Sequence, residues 1–181
     1  MATKAGATAS TGINVLNSQG TKVWVIPAGT DVSDCAKVAT ALATAKMVGC
    51  PQSLGSIAET RASTEYKCLS SNETAKALGA ISRGSLELGL LLDPDDTAGQ
   101  KELRDAFKSN TPVIIAVELP NMPKGTGTGT PTTAGHGTLY YFTAGVSTVS
   151  TEIAMDSAVM YNVTLEISSA INECPAIAPK P

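Results

Sequence analysis

A chain of 181 residues is long enough for one good hydrophobic core and makes a single domain the default. A formal net charge of −3 and a pI near 5.1 exclude a protein that grips nucleic acid through a basic surface, and 43% apolar residues set in periodic runs exclude a disordered chain. Aromatic residues (4%) and charged residues (16%) are both scarce, with small side chains in their place; this predicts an exterior covered by something, most simply other copies of the chain.

Residues 1–20 are small and polar, with Ile13, Val15 and Leu16 as the apolar anchors, and read as an N-terminal arm. Residues 22–27 form the first expected strand. Val23 and Val25 fall on one face and Trp24 and Ile26 on the other, so a strand covered on both sides is predicted. Residues 33–48 satisfy two periods. The Val38/Leu42 spacing with Ser33 or Asp34 as N-cap fits a helix, while the alternation of Val38, Thr40, Leu42 and Thr44 fits a strand. The turn at Gly49-Cys50-Pro51 tilts the reading slightly towards strand. Residues 54–60 and 64–69 read as short strands, and 73–78 as a loop or one helical turn.

From Ser82 to Ser168 the pattern is clearer. Leu86, Leu88, Leu90 and Leu92 alternate with Ser85, Glu87 and Gly89, the period of a half-buried strand. Asp93 then reads as an N-cap with Pro94 at the first helical position, giving a flanking helix over about 94–109. Leu103, Ala106 and Phe107 form its apolar stripe, Gln100 and Lys101 face water, and Asn110 stops it. Strands are expected at 113–119, 138–146 and 159–168, the first two antiparallel neighbours joined by a long Gly/Thr loop at 120–137. In the last strand Tyr161, Val163, Leu165 and Ile167 point one way and Asn162, Thr164, Glu166 and Ser168 the other. Residues 172–181 read as an extended C-terminal tail outside the core, so the domain is taken as 21–171.

The chemistry of a catalyst is missing from this pattern. His136 is the single histidine and lies in the glycine-rich loop, so a nucleophile–base pair has no base. The Gly125–Gly129 stretch lacks the GK[ST] ending of a phosphate loop and opens no helix. Asp93, Asp95 and Asp96 are explained by helix capping rather than calcium, and Glu59 and Glu65 read as surface carboxylates. Cys35, Cys50, Cys68 and Cys174 are irregularly spaced and read as reduced, partly buried thiols of a chain without a signal peptide. No run approaches the length of a membrane span. No enzyme, cofactor, metal or membrane partner is expected. A β-sandwich adhesion module and a small hydrolase using Glu or Cys68 are the competing classes.

Several pieces taken in order carry a resemblance: Leu54-Gly-Ser-Ile-Ala-Glu59, Thr64-Glu-Tyr-Lys-Cys68, the run from Ala77 to Leu88, the helix with Gln100 and Leu103, the strand from Pro112, Gly137-Thr-Leu-Tyr-Tyr-Phe-Thr-Ala-Gly145 and the final strand. With Lys22-Val-Trp-Val-Ile26 near the start, they make the chain resemble the major tail tube proteins of long-tailed, siphovirus-like bacteriophages. The resemblance implies a mainly β fold, sandwich- or barrel-like, of two packed antiparallel sheets with one flanking α-helix, an architecture shared with type VI secretion tubes. It also implies hexameric rings stacked into a hollow tube that conducts DNA, in a virion tail assembled in the host cytoplasm. Partners would be the chain itself, a tape measure protein and terminator or tip proteins, with DNA passing unbound; a tail terminator is the alternative within the family. The lumen is assigned to Asn162, Thr164, Glu166 and Ser168, then Glu87 and Glu118. Inter-ring contacts are assigned to the arm, to 43–63 and to the long loop, hence to Ile13, Val15, Leu16, Leu54, Lys124 and His136.

Overall fold

β1 (Lys22–Ile26) is apolar on both sides, and both sides are covered. Val23 and Val25 enter the main core, while Ile26 joins a smaller one with Val38 and Ala41 of α1 (Cys35–Leu42). The structure, a computed structural model, describes residues 16–67, 73–123 and 135–179. The Asp34 carboxylate accepts the Lys37 amide at 2.8 Å and caps α1. The leaning towards strand at 33–48 is therefore corrected. Val38 and Ala41 lie at helical spacing and are buried together, and only after the helix does the chain extend, as β2 (Lys46–Met47).

The chain continues through β3 (Pro51–Leu54), β4 (Glu59–Lys67), β5 (Thr74–Arg83), β6 (Ser85–Leu91), α2 (Gly99–Ser109), β7 (Val113–Glu118), β8 (Leu139–Glu152), β9 (Met160–Ile167) and β10 (Asn172–Cys174). One sheet runs in the order β2-β1-β7-β8-β9-β6-β3, with β10 also on β8, and every neighbour in it is antiparallel. A second sheet is the hairpin β4-β5 alone. β8 is what folds the long sheet over. Its first half pairs with β7 as far as Ala144 and its outer half with β9, with a register shift between Val146 and Thr148. The two layers so formed close on one core, to which one contributes Val25, Ile115 and Val117 and the other Leu86, Leu88 and Leu165. The mainly β, sheet-on-sheet fold that the resemblance implies is present.

α2 flanks this core through Leu103 and Ala106 and ends on Asn110 in the left-handed region (φ 52°). It starts five residues later than expected. Asp93 accepts the Asp95 amide in a tight turn, and Asp96 holds the amides of Ala98 and Gln100. Burial opposes the charge of Asp96, but the amides of Gln100, Ala98, Gly49 and Gly99 outweigh it and hold its carboxyl below the usual carboxylate value. Gln100 is buried rather than solvated; its amide nitrogen donates to Leu91 O at 2.7 Å, whereas Phe107 is exposed. A Cβ at Gly99 would collide with the Met47 carbonyl, so glycine is what lets the helix approach β2.

Two further expectations are corrected. Residues 74–83 are strand, not loop or helical turn. Residues 172–174 are no free tail: β10 pairs with β8, and fully buried Cys174 forms a disulfide with Cys35. That pair is thus not reduced, because β10 carries Cys174 onto the first turn of α1. Cys50 is a free, exposed thiol. Cys68 lies outside the described residues.

Candidate functional site

The outer half of β8 with β9, β6 and β3 makes a four-stranded surface whose inner side is core and whose outer side is polar. Period 2 dictates this split: Tyr161, Val163 and Leu165 go inward, so Asn162, Thr164 and Glu166 go outward. Register places them in rows. Glu166 lies beside Ser85 and Gly145, Thr164 beside Glu87 and Thr148, and Asn162 beside Gly89 and Ser150, with Ser53 of β3 on the far side of Gly89. A Cβ at Gly89 would strike the Ser53 hydroxyl, so the centre of the surface stays flat. A depression of about 370 Å³ sits there, lined by Ser53, Glu87, Gly89, Asn162 and Thr164.

These four strands contain Glu87, Glu152 and Glu166 but no lysine or arginine. A cation-free sheet carrying carboxylates repels phosphates and other anions. Among the described residues no cluster of His, Cys, Asp and Glu could hold a metal. Glu59 and Glu65 are accounted for by cross-strand ion pairs, with Arg83 at 3.0 Å and Lys76 at 2.9 Å.

The structure brings together Glu87, Asn162, Thr164 and Glu166 of the residues assigned to the lumen. Ser168 lies beyond β9, where its hydroxyl donates to Thr143 O at 3.0 Å. Glu118 belongs elsewhere and is corrected. On β7 it is only 7% exposed, accepts from Trp24 Nε1 at 3.1 Å and from the Gly137 amide at 3.2 Å, and lies 3.6 Å from Lys22 Nζ. It pins the return of the long loop rather than facing a channel. Replacing Glu118 by Ala strands the Trp24 and Gly137 donors, so denaturant unfolding should show a loss of about 2–3 kcal/mol.

Of the inter-ring residues, Leu16 is exposed and Leu54 is half-buried against the core. His136 is buried instead, its backbone bonded both ways to Ile177, so its place as a surface contact is corrected. Ile13, Val15 and Lys124 lie outside the described residues. The sequence reading placed short strands at 54–60 and 64–69 but missed β5 and with it the β4-β5 hairpin. Part of its signal was present, because charge recurs at 59, 61, 65 and 67 with period 2.

Two borders of the polar surface are open among the described residues. β3 pairs with β6 and no other strand, and β8 beyond Gly145 pairs with β9 alone. No protein-family model and no curated protein matches this sequence. Solved structures do. The chain is similar to one in the 6-fold symmetrised baseplate of the anti-feeding prophage (9% identity, TM-score 0.61, covering 92% of this chain and 98% of that one). It is similar to one in the tube terminating cap of the same system (15%, 0.60, 97% and 100%) and to the SPP1 tail tube (14%, 0.57, 90% and 81%). The fold is therefore phage tail tube-like.

Proposed function

We propose that this chain is the structural subunit of a bacteriophage tail tube, in which hexameric rings stack into a hollow tube that conducts DNA. The observation that carries the reading is the four-stranded polar surface with both borders open. An open strand border is a hazard in a monomer and an assembly device in an oligomer, where the border of one copy pairs with that of the next. Unlike borders meeting head to tail close into a ring. With the polar rows inward, the wall seen by DNA is carboxylate, hydroxyl and amide, and a phosphate backbone finds no cation to hold it. Asn162, Thr164, Glu166 and Glu87 line that wall. The place of action is then a virion tail assembled in the host cytoplasm. A tape measure protein in the bore and terminator or tip proteins at its ends complete the partners, with no catalysis and no membrane.

Electron microscopy of the purified protein tests this: hollow rods or stacked six-fold rings are expected, and a protein that stays monomeric at every concentration overturns it. Single rings that never stack would favour a terminator, the second reading supported by the likeness to a tube terminating cap. The lumen assignment has its own consequence. Tubes carrying Glu87→Lys and Glu166→Lys should retain double-stranded DNA on sedimentation and release it in high salt, by tenfold or more in affinity with only about two phosphate contacts per copy. Wild-type tubes should retain none.

A further inference from the structure

The β8–β9 turn and the outside of β3 are complementary. The turn displays Ile153 at 78% and Met155 at 92% exposure, higher than any other large apolar side chain among the described residues. Asp156, at a left-handed φ of 59°, shapes the turn. Between β3 and the start of β1 lies a groove of about 460 Å³, with Val23, Pro51, Leu54 and Leu119 as its apolar lining, uncharged polar residues such as Gln19 and Gln52 beside them, and no charged residue among its described walls. We infer that this groove receives the β8–β9 turn of the next copy round the ring, with Ile153 and Met155 seated in it.

Topology decides that the occupant is a second copy. The turn leaves from β8, one border of the polar surface, and the groove lies outside β3, the other; β9 and β6 stand between them. The turn and the groove of one copy therefore sit on opposite flanks, and joining them makes a head-to-tail contact that repeats until the ring closes. The contact buries the apolar side chains of the turn against the apolar part of the groove, the usual centre of an interface. It also gives the two open borders a shared anchor, so it rests on the tube reading and specifies which residues hold neighbouring copies together.

The test places a photo-reactive amino acid at position 155 in the full chain and mixes isotopically heavy and light copies before assembly. Cross-links between heavy and light peptides should join position 155 to residues 18–23 or 51–54. Cross-links confined to one copy, or reaching only other segments such as 1–15, overturn the inference. In parallel, Ile153→Asp with Met155→Asp should leave the melting transition of the monomer unchanged, because both side chains are already in water, while lowering ring formation at least about tenfold. Rings of this variant at wild-type yield also overturn it. If the wild-type chain forms no rings, the tube reading itself fails; if it forms rings without these cross-links, only the present inference does.

Discussion

Deleting residues 59–83 and joining Ala58 to Gly84 through a short Asn-Gly turn should give a chain that folds as well as the intact one and builds no tubes. The ends are already adjacent, since the Gly84 amide donates to Ala58 O at 3.3 Å. Among the described residues β4 and β5 pair only with each other, and their residues are exposed but for half-buried Arg83. The domain core therefore loses no buried side chain of β4 or β5, although the Glu59 carboxylate that accepts the Ile171 amide at 3.4 Å goes with the hairpin. An isolated two-stranded hairpin is marginal in water, so this one needs cover from outside its own chain. Register puts Glu59, Arg61, Glu65, Lys67, Lys76 and Arg83 on one face together with the exposed apolar Leu78 and Ile81, and Thr60, Ala62, Thr64, Tyr66, Ala75 and Ala77 on the other. Circular dichroism melts should agree within a few degrees, and sedimentation should show monomer alone. Tubes built from the shortened chain would show that the hairpin is dispensable for assembly.

How far such features are legible in a sequence depends on where the deciding force lies. Leu86, Leu88 and Leu90 alternate with Ser85 and Glu87 because the same chain supplies their core, and the strand there is readable. β1 is readable for a related reason: apolar side chains on both faces require two covers, and both exist. α1 is not, because Val38, Thr40 and Leu42 satisfy both periods and only burial of Val38 with Ala41 selects the helix. Asp93 and Pro94 imitate a helix start, yet the side chain of Asp96 does the holding, through amides distant in sequence such as Gly49. β5 was obscured because a strand without a core of its own shows no buried face. The rows of the polar surface were half legible: parity on β9 gives Asn162, Thr164 and Glu166, but only the register across β6 and β3 brings Glu87 and Ser53 beside them, and only the pairing of β7 with β1 sets Glu118 beside Lys22 instead.

Breaking the disulfide is the second change of large effect. The Cys35–Cys174 bond closes a loop with a sequence separation of 139, and cross-links of that span stabilise by about 2–5 kcal/mol, chiefly by restricting the unfolded chain. The elements it joins have little else to hold them. α1 has eight residues, too few to be stable alone, and β10 has three. Between them lies the smaller core of Ile26, Val38, Ile114 and Leu139. Reduction should therefore lower the denaturant midpoint of the monomer and expose residues 35–42 and 172–179 to hydrogen exchange ahead of the main core. The Cys35→Ser, Cys174→Ser double variant should match the reduced wild type under oxidising conditions and gain nothing further from reductant. Cys174→Ser alone should cost more than Cys35→Ser alone, because it buries a hydroxyl where the sulfur is fully enclosed. Before reduction, alkylating reagents should modify Cys50 and leave Cys35 and Cys174 untouched. Equal denaturant midpoints with and without reductant would mean that the layer contacts of β8 and β10 hold the C-terminal segment unaided. In that case the cross-link adds no stability, and the smaller core closes through packing alone.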